Sequence, residues 1–140
     1  MSESGPGLDE ELQQVRLYLE IERVRFGHRL TTEINQSGNC EEAKLPALIL
    51  QPIIENAIKY GLYGQTSSIL ISIDISCDQN LLRVDVSSPY DQQFVAASAG
   101  NGFGLASIRR RLSLFFGQND LLSTSKDTEL FTTTLLIPQL

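Results

Sequence analysis

The stretch Ile69–Val86, ILISIDISCDQNLLRVDV, decides the fold. Ile69, Ile71, Ile73, Ile75 and Cys77 fall on one side of an extended chain, and Leu70, Ser72, Asp74 and Ser76 on the other, because side chains alternate along a strand. Asp78-Gln79-Asn80 supplies turn residues, and Leu82, Val84 and Val86 resume the alternation, so the spacing predicts two antiparallel strands. A doubly wound parallel sheet needs a helix between most neighbouring strands, and none fits here.

Upstream, Leu45–Tyr60 reads LPALILQPIIENAIKY, apolar enough to predict a buried helix stopped by Gly61. Pro52 within it removes a backbone donor, which predicts either a kink or a new first turn at that point. Leu30, Thr32 and Ile34 alternate as a strand, followed by the loop Ser37–Glu42. From Leu8 onward, Leu12, Val15 and Leu19 form one helical stripe, and Leu17, Ile21 and Val24 a second. The first suits a domain core; the second suits either the same core or a partner or preceding helix. Residues 1–7, MSESGPG, read as a disordered start or a cloning scar.

Downstream, residues 87–103 lack periodicity, and Ala96–Gly102 is small and flexible in composition, as a functional or disordered loop would be. Leu105, Ile108, Leu112 and Phe115 mark a helix ending at Gly117. Leu121–Ser125 and Leu130–Ile137 make a final hairpin around Lys126-Asp127. No internal repeat is present. The order is helix, strand, helix, two strands, loop, helix, two strands. It predicts an α+β fold, a two-layer α/β sandwich whose mixed, mostly antiparallel sheet is covered on one face by helices.

Composition narrows the function classes. The chain has 140 residues, 41% hydrophobic and 20% charged, the size and apolar content of one domain with a core. No apolar run approaches the roughly 18 residues of a membrane span. Asp+Glu outnumber Lys+Arg 17 to 11, a net charge of −6. Broad attraction to nucleic acid is therefore not expected, and any anion site must be local. Cys40 and Cys77 lack CxxC spacing, and His28 is the only histidine, which excludes a Cys/His metal cage and makes a reducing cytosol the plainer reading.

Two groups of residues carry chemistry. Gln51, Glu55 and Lys59 recur every four residues on the apolar helix, with Asn56 beside them and Tyr60 a turn further on. An amide, a carboxylate and an ammonium on one side suit a divalent cation and the phosphates it neutralises, although a solvated helix face is the blander account. Gly100-Asn101-Gly102-Phe103-Gly104-Leu105 leads into a helix, whose unpaired N–H groups suit phosphate. It is not a dinucleotide fingerprint, and a flexible hinge is the competing account.

Taken in order, these features resemble the ATP-binding catalytic domain of histidine kinases, which shares the Bergerat (GHKL) fold of gyrase and Hsp90. Within that group, Leu50-Gln51-Pro52-Ile53-Ile54-Glu55-Asn56-Ala57-Ile58-Lys59-Tyr60-Gly61 is similar to the N box of LytS-type sensor kinases. Gly102-Phe103-Gly104-Leu105 with Ile108-Arg109-Arg110-Arg111-Leu112 is similar to their second glycine box and the helix after it. Tyr18-Leu19-Glu20-Ile21-Glu22 and Arg25-Phe26 are similar to the segment leading into the domain.

The resemblance implies ATP and Mg²⁺ held between the N-box helix and the loop. It implies Asn56 as the Mg²⁺ ligand and Lys59 and Tyr60 as phosphate or nucleotide contacts. Gly102, Phe103, Gly104 and Leu105 would be the backbone cradle, with Glu55 polarising water or assisting transfer. It puts Ser87 where the family has its adenine-binding aspartate and Ser107 where an Asn is common. No Lys or Arg lies between Arg83 and Arg109, so weak nucleotide affinity is expected.

The implied organisation is residues 1–7 outside the fold, residues 8–28 as a leading helix from a dimerisation and acceptor segment, and residues 29–140 as the catalytic domain. The implied partners are that histidine-containing segment and a response regulator. The parent would be a homodimer anchored in the bacterial inner membrane, with this domain cytoplasmic. His28 lies outside the family's acceptor motif. Readings of a different kind are a degenerate interaction module of the same fold with weak or no nucleotide binding, and an anti-sigma-type serine kinase. The LQPxxEN segment argues against the latter.

Overall fold

In the computed structural model of the chain, residues 7–62, 68–78, 80–90, 103–127 and 129–139 are described, and for Tyr60, Phe103 and Gly104 only the backbone is. The elements are α1 (Leu8–Phe26), a 3₁₀ turn (Gly27–Arg29), β1 (Leu30–Gly38), α2 (Leu50–Leu62), β2 (Ile69–Cys77), β3 (Leu81–Pro89), α3 (Phe103–Phe116), β4 (Leu122–Lys126) and β5 (Leu130–Pro138). The strands form one five-stranded sheet in the order β1-β2-β3-β5-β4. β1 lies parallel to β2, and the remaining neighbours are antiparallel.

Strand alternation decides which face is covered. Ile69, Ile71, Ile73 and Ile75 of β2, Leu82, Val84 and Val86 of β3, and Leu135 and Ile137 of β5 are buried. They form one core with Leu12, Val15 and Leu19 of α1, Ile53, Ile54, Ala57 and Ile58 of α2, and Leu105, Ile108 and Leu112 of α3. The helices thus form one layer and the sheet the other. The two stripes of α1 separate as their spacing allows: Leu12 is 1% exposed, whereas Ile21 is 59% and Val24 88% exposed. Gly7 opens this helix and pairs with Lys44 in an isolated bridge, so it belongs to the fold, although the sequence reading sets residues 1–7 outside it.

The helix expected from Leu45 begins at Leu50 instead. Its start is placed by tertiary contacts: the Glu11 carboxylate on α1 accepts hydrogen bonds from the N–H groups of Leu48 (3.2 Å) and Ile49 (3.3 Å). Pro52 then falls in the first turn, where backbone donors have no intrahelical acceptor, so the helix loses nothing by it.

The fold brings the two cysteines together. Cys40 and Cys77 are joined by a disulfide, with 5.3 Å between their Cα atoms. The parallel pairing of Gly38 with Cys77 brings the two segments together. Gly38 has φ +80°, and a Cβ there would sit 2.0 Å from the Cys77 carbonyl oxygen, so only glycine closes β1 this way.

Candidate functional site

The polar side of α2 is built from residues four apart. Gln51 donates from Nε2 to the Glu55 carboxylate at 3.0 Å, and Glu55 is exposed while Lys59 is half-buried. Asn56 sits on the flank between this stripe and the core. Its Nδ2 is buried with no hydrogen-bond partner among the described residues. Rotation by 180° exchanges the amide oxygen and nitrogen at this position, so either end can face inward. A buried amide group left unpaired is destabilising unless something fills it.

A second such group lies on the sheet. Ser88 is 0% exposed and its Oγ is likewise unpartnered among the described residues. It faces the helix layer near the end of α2, where a Cβ on Gly61 would lie 3.7 Å from the Ser88 Cβ and 3.3 Å from the Pro89 carbonyl oxygen. Glycine at 61 allows α2 to close on β3.

Ser87, expected at the nucleotide, is corrected by this geometry. It shares the outward face with Asp85, and its Oγ lies 3.0 Å from Thr132 Oγ1, where either atom can donate. The alternation that turns Asp85 away from the helices turns Ser87 away too, and the inward hydroxyl belongs to Ser88.

Leu105 is buried in the core, so what it can offer a ligand is backbone. Ser107 is exposed. The α3 helix starts at Phe103, and the N–H groups of its first turn have no acceptor within the helix. Gly102 and the Ala96–Gly102 loop lie outside the described residues. Of the remaining expected residues, the structure gathers Glu55, Asn56 and Lys59 on adjoining sides of α2.

The outer face of the sheet holds a groove of about 340 Å³ lined by Asn35, Asp74, Arg83 and Asp85, among others. Its polar groups satisfy one another. Asn35 donates to Asp74 at 3.1 Å, Arg83 to Asp85 at 2.9 Å, and the Thr134 hydroxyl to Asp85 at 2.6 Å. It is separated from Asn56 and Ser88 by the thickness of the sheet.

No family model matches the chain. The chain is 30% identical over 142 residues to the sensor protein LytS of Staphylococcus epidermidis, covering 94% of itself and 24% of that protein. It is 33% identical over 114 residues to the sensor histidine kinase YesM of Bacillus subtilis, covering 79% of itself and 20% of that protein. Over most of its length the chain is similar to sensor histidine kinases of the LytS type. It spans about a quarter of the length of these curated relatives.

In fold it matches the catalytic domain of the histidine kinase ThkA, with a TM-score of 0.68 at 16% identity, covering 95% of this chain and 92% of that one. A structure of ThkA in complex with the response regulator TrrA matches with a TM-score of 0.67, covering 96% of this chain and 41% of that one. The mixed sheet under three helices is therefore the histidine kinase catalytic-domain fold.

Two residues were not singled out by sequence reasoning. Ser88 was missed by a slip of one position, which strict alternation from Val84 and Val86 would have avoided. Glu11 gave no local signal, since its partners lie 37 and 38 residues away.

Proposed function

We propose that the chain is the ATP-binding catalytic domain of a two-component sensor histidine kinase, passing the γ-phosphoryl group of ATP to a histidine in a dimerisation segment of the parent protein. What supports the reading is the pair of buried polar groups unpartnered among the described residues, Asn56 Nδ2 and Ser88 Oγ, one on the N-box helix and one on the adjoining strand. A closed hydrophobic layer would leave neither unfilled.

The residues fit Mg²⁺-ATP in chemistry. The Asn56 carboxamide is a neutral oxygen donor of the kind magnesium accepts alongside phosphates. Lys59 adds a cation, and the first turn of α3 adds backbone donors suited to phosphate. Ser88 offers a hydroxyl that accepts or donates to a nucleobase edge. When bound, Mg²⁺-ATP supplies the phosphoryl group and neutralises its charge. The chain's own part is to bind, orient and exclude water, with Glu55 beside Asn56 to polarise water or assist transfer. A neutral serine in place of an aspartate gives a weaker hold on adenine than an ionised carboxylate would.

By the same reading, residues 8–28 lead in from the acceptor segment, a response regulator receives the phosphoryl group, and the parent is a homodimer. The domain itself is cytoplasmic in a parent anchored in the membrane. Among the described residues, no helix is long and apolar enough to cross a membrane. Thermal unfolding with and without Mg²⁺-ATP tests the assignment: wild type should be stabilised and Asn56→Ala much less so. Equal absence of stabilisation in both proteins would overturn it and leave an interaction module of the same fold.

A further inference from the structure

The backbone just before α2 is gripped from two sides. From α1, the Glu11 carboxylate, only 6% exposed, accepts the N–H groups of Leu48 and Ile49. From α3, the Arg111 guanidinium donates to the carbonyl of Leu48 at 3.1 Å and to that of Ala47. Between them Leu48 adopts φ +57°, a left-handed conformation uncommon for any residue but glycine. Such a conformation persists only where surrounding contacts dictate it, and here the contacts come from two other helices.

The grip also fixes how α2 and α3 lie against each other. The later part of α3 reaches the start of α2 through Arg111, and Arg109 donates to the Leu122 carbonyl at the start of β4. The end of α2 meets the end of β3 at Pro89. Arg111 thus ties the later part of α3 directly to the residues that open α2. Asn56 stands eight residues beyond Leu48, and Phe103 eight before Arg111. Each therefore lies on the order of 10 Å from the clamp. A shift of the Leu48 clamp is thus a shift of Asn56 against the α3 amides.

We propose that Glu11 and Arg111 are positioning residues, which by clamping Ala47–Ile49 set the spacing between Asn56 and the N-terminus of α3. Resting on the Mg²⁺-nucleotide reading above, this places the leading helix in direct mechanical contact with the nucleotide site, because one side of the clamp belongs to α1.

The 140-residue chain and its Glu11→Ala, Glu11→Gln, Arg111→Ala and Arg111→Lys variants are titrated calorimetrically with ATP, with and without Mg²⁺. Melting in the absence of nucleotide confirms that each is folded at the working temperature. The diagnostic quantity is the ratio of the two affinities, which a merely stabilising contact would leave alone because partial unfolding weakens both equally. Each alanine variant should lower that ratio by about fivefold or more, the low end of the usual coupling between sites. Glu11→Gln and Arg111→Lys, which keep part of the hydrogen bonding, should fall between.

Wild-type ratios in folded alanine variants would overturn the clamp while leaving the nucleotide reading intact. Absence of any Mg²⁺ effect in wild type would instead remove that reading and the clamp with it. If Glu11→Ala fails to fold, Arg111→Ala decides, since its hydrogen bonds lie at the surface.

Discussion

On the proposed nucleotide reading, the Ser88 hydroxyl favours binding at the expense of stability. Its buried Oγ has no partner among the described residues, so Ser88→Ala should leave the nucleotide-free protein as stable or up to about 1 kcal/mol more stable. The stabilisation that Mg²⁺-ATP adds should shrink in the same variant, as read by paired melting curves. A fall in the nucleotide-free melting temperature would show the hydroxyl to be partnered. Gly38 predicts the opposite kind of change. With φ +80° and the Cys77 carbonyl in the way of any Cβ, Gly38→Ala should cost at least about 2 kcal/mol in denaturant unfolding.

Asn56 and its polar neighbours were legible because a four-residue spacing on an apolar helix stands out. The inward serine was legible in principle from strand parity alone. The disulfide was not, because Cys40 and Cys77 are 37 residues apart and meet only through the pairing of β1 with β2.

At the level of elements, α1 separates burial from hydrophobicity. Its two apolar stripes differ little in composition, yet Leu12→Ala should cost about 2–5 kcal/mol, because it empties part of a packed core. Ile21→Ser should stay within about 0.5 kcal/mol, because Ile21 is already solvated. Urea unfolding of the two variants tests the distinction.

The β4–β5 turn adds a pH dependence. The Asp127 carboxyl is held below the usual 3.8 by the N–H of Leu130 and then that of Glu129, both donating to Oδ1. A carboxylate favoured by the fold contributes stability above its unfolded value, and that contribution is lost as pH falls through the lowered folded value. Asp127→Ala should therefore melt earlier than wild type near neutrality, with the gap closing below pH 3.8. A constant gap across that range would assign the effect to packing instead.

Element order was readable from sequence since alternation and helical spacing are local. The start of α2 was not, because Leu45–Ile49 is apolar enough for a helix but is held out of one by Glu11 and Arg111, which come from elsewhere in the chain.

Across the whole molecule, the disulfide ties the end of β2 to the segment leading towards α2. Constraint of a loop of 37 residues implies about 4 kcal/mol on a chain-entropy account. Reduction should lower the guanidinium midpoint by a corresponding amount, and Cys40→Ser/Cys77→Ser should match the reduced protein. An unchanged midpoint on reduction would show that the hydrogen-bonded framework holds this corner without help.

The strand order leaves β1 and β4 at the two rims of the sheet. An open rim is a ready template for zippering onto another chain. Both are spelled in wettable residues that resist such self-association: Thr31, Glu33, Asn35 and Ser37 point outward along one, and Ser123 to Lys126 form an exposed run on the other. Concentrated solutions of the protein should accordingly remain clear of fibrils, and crowding alone should not convert the sheet into a ribbon of joined copies.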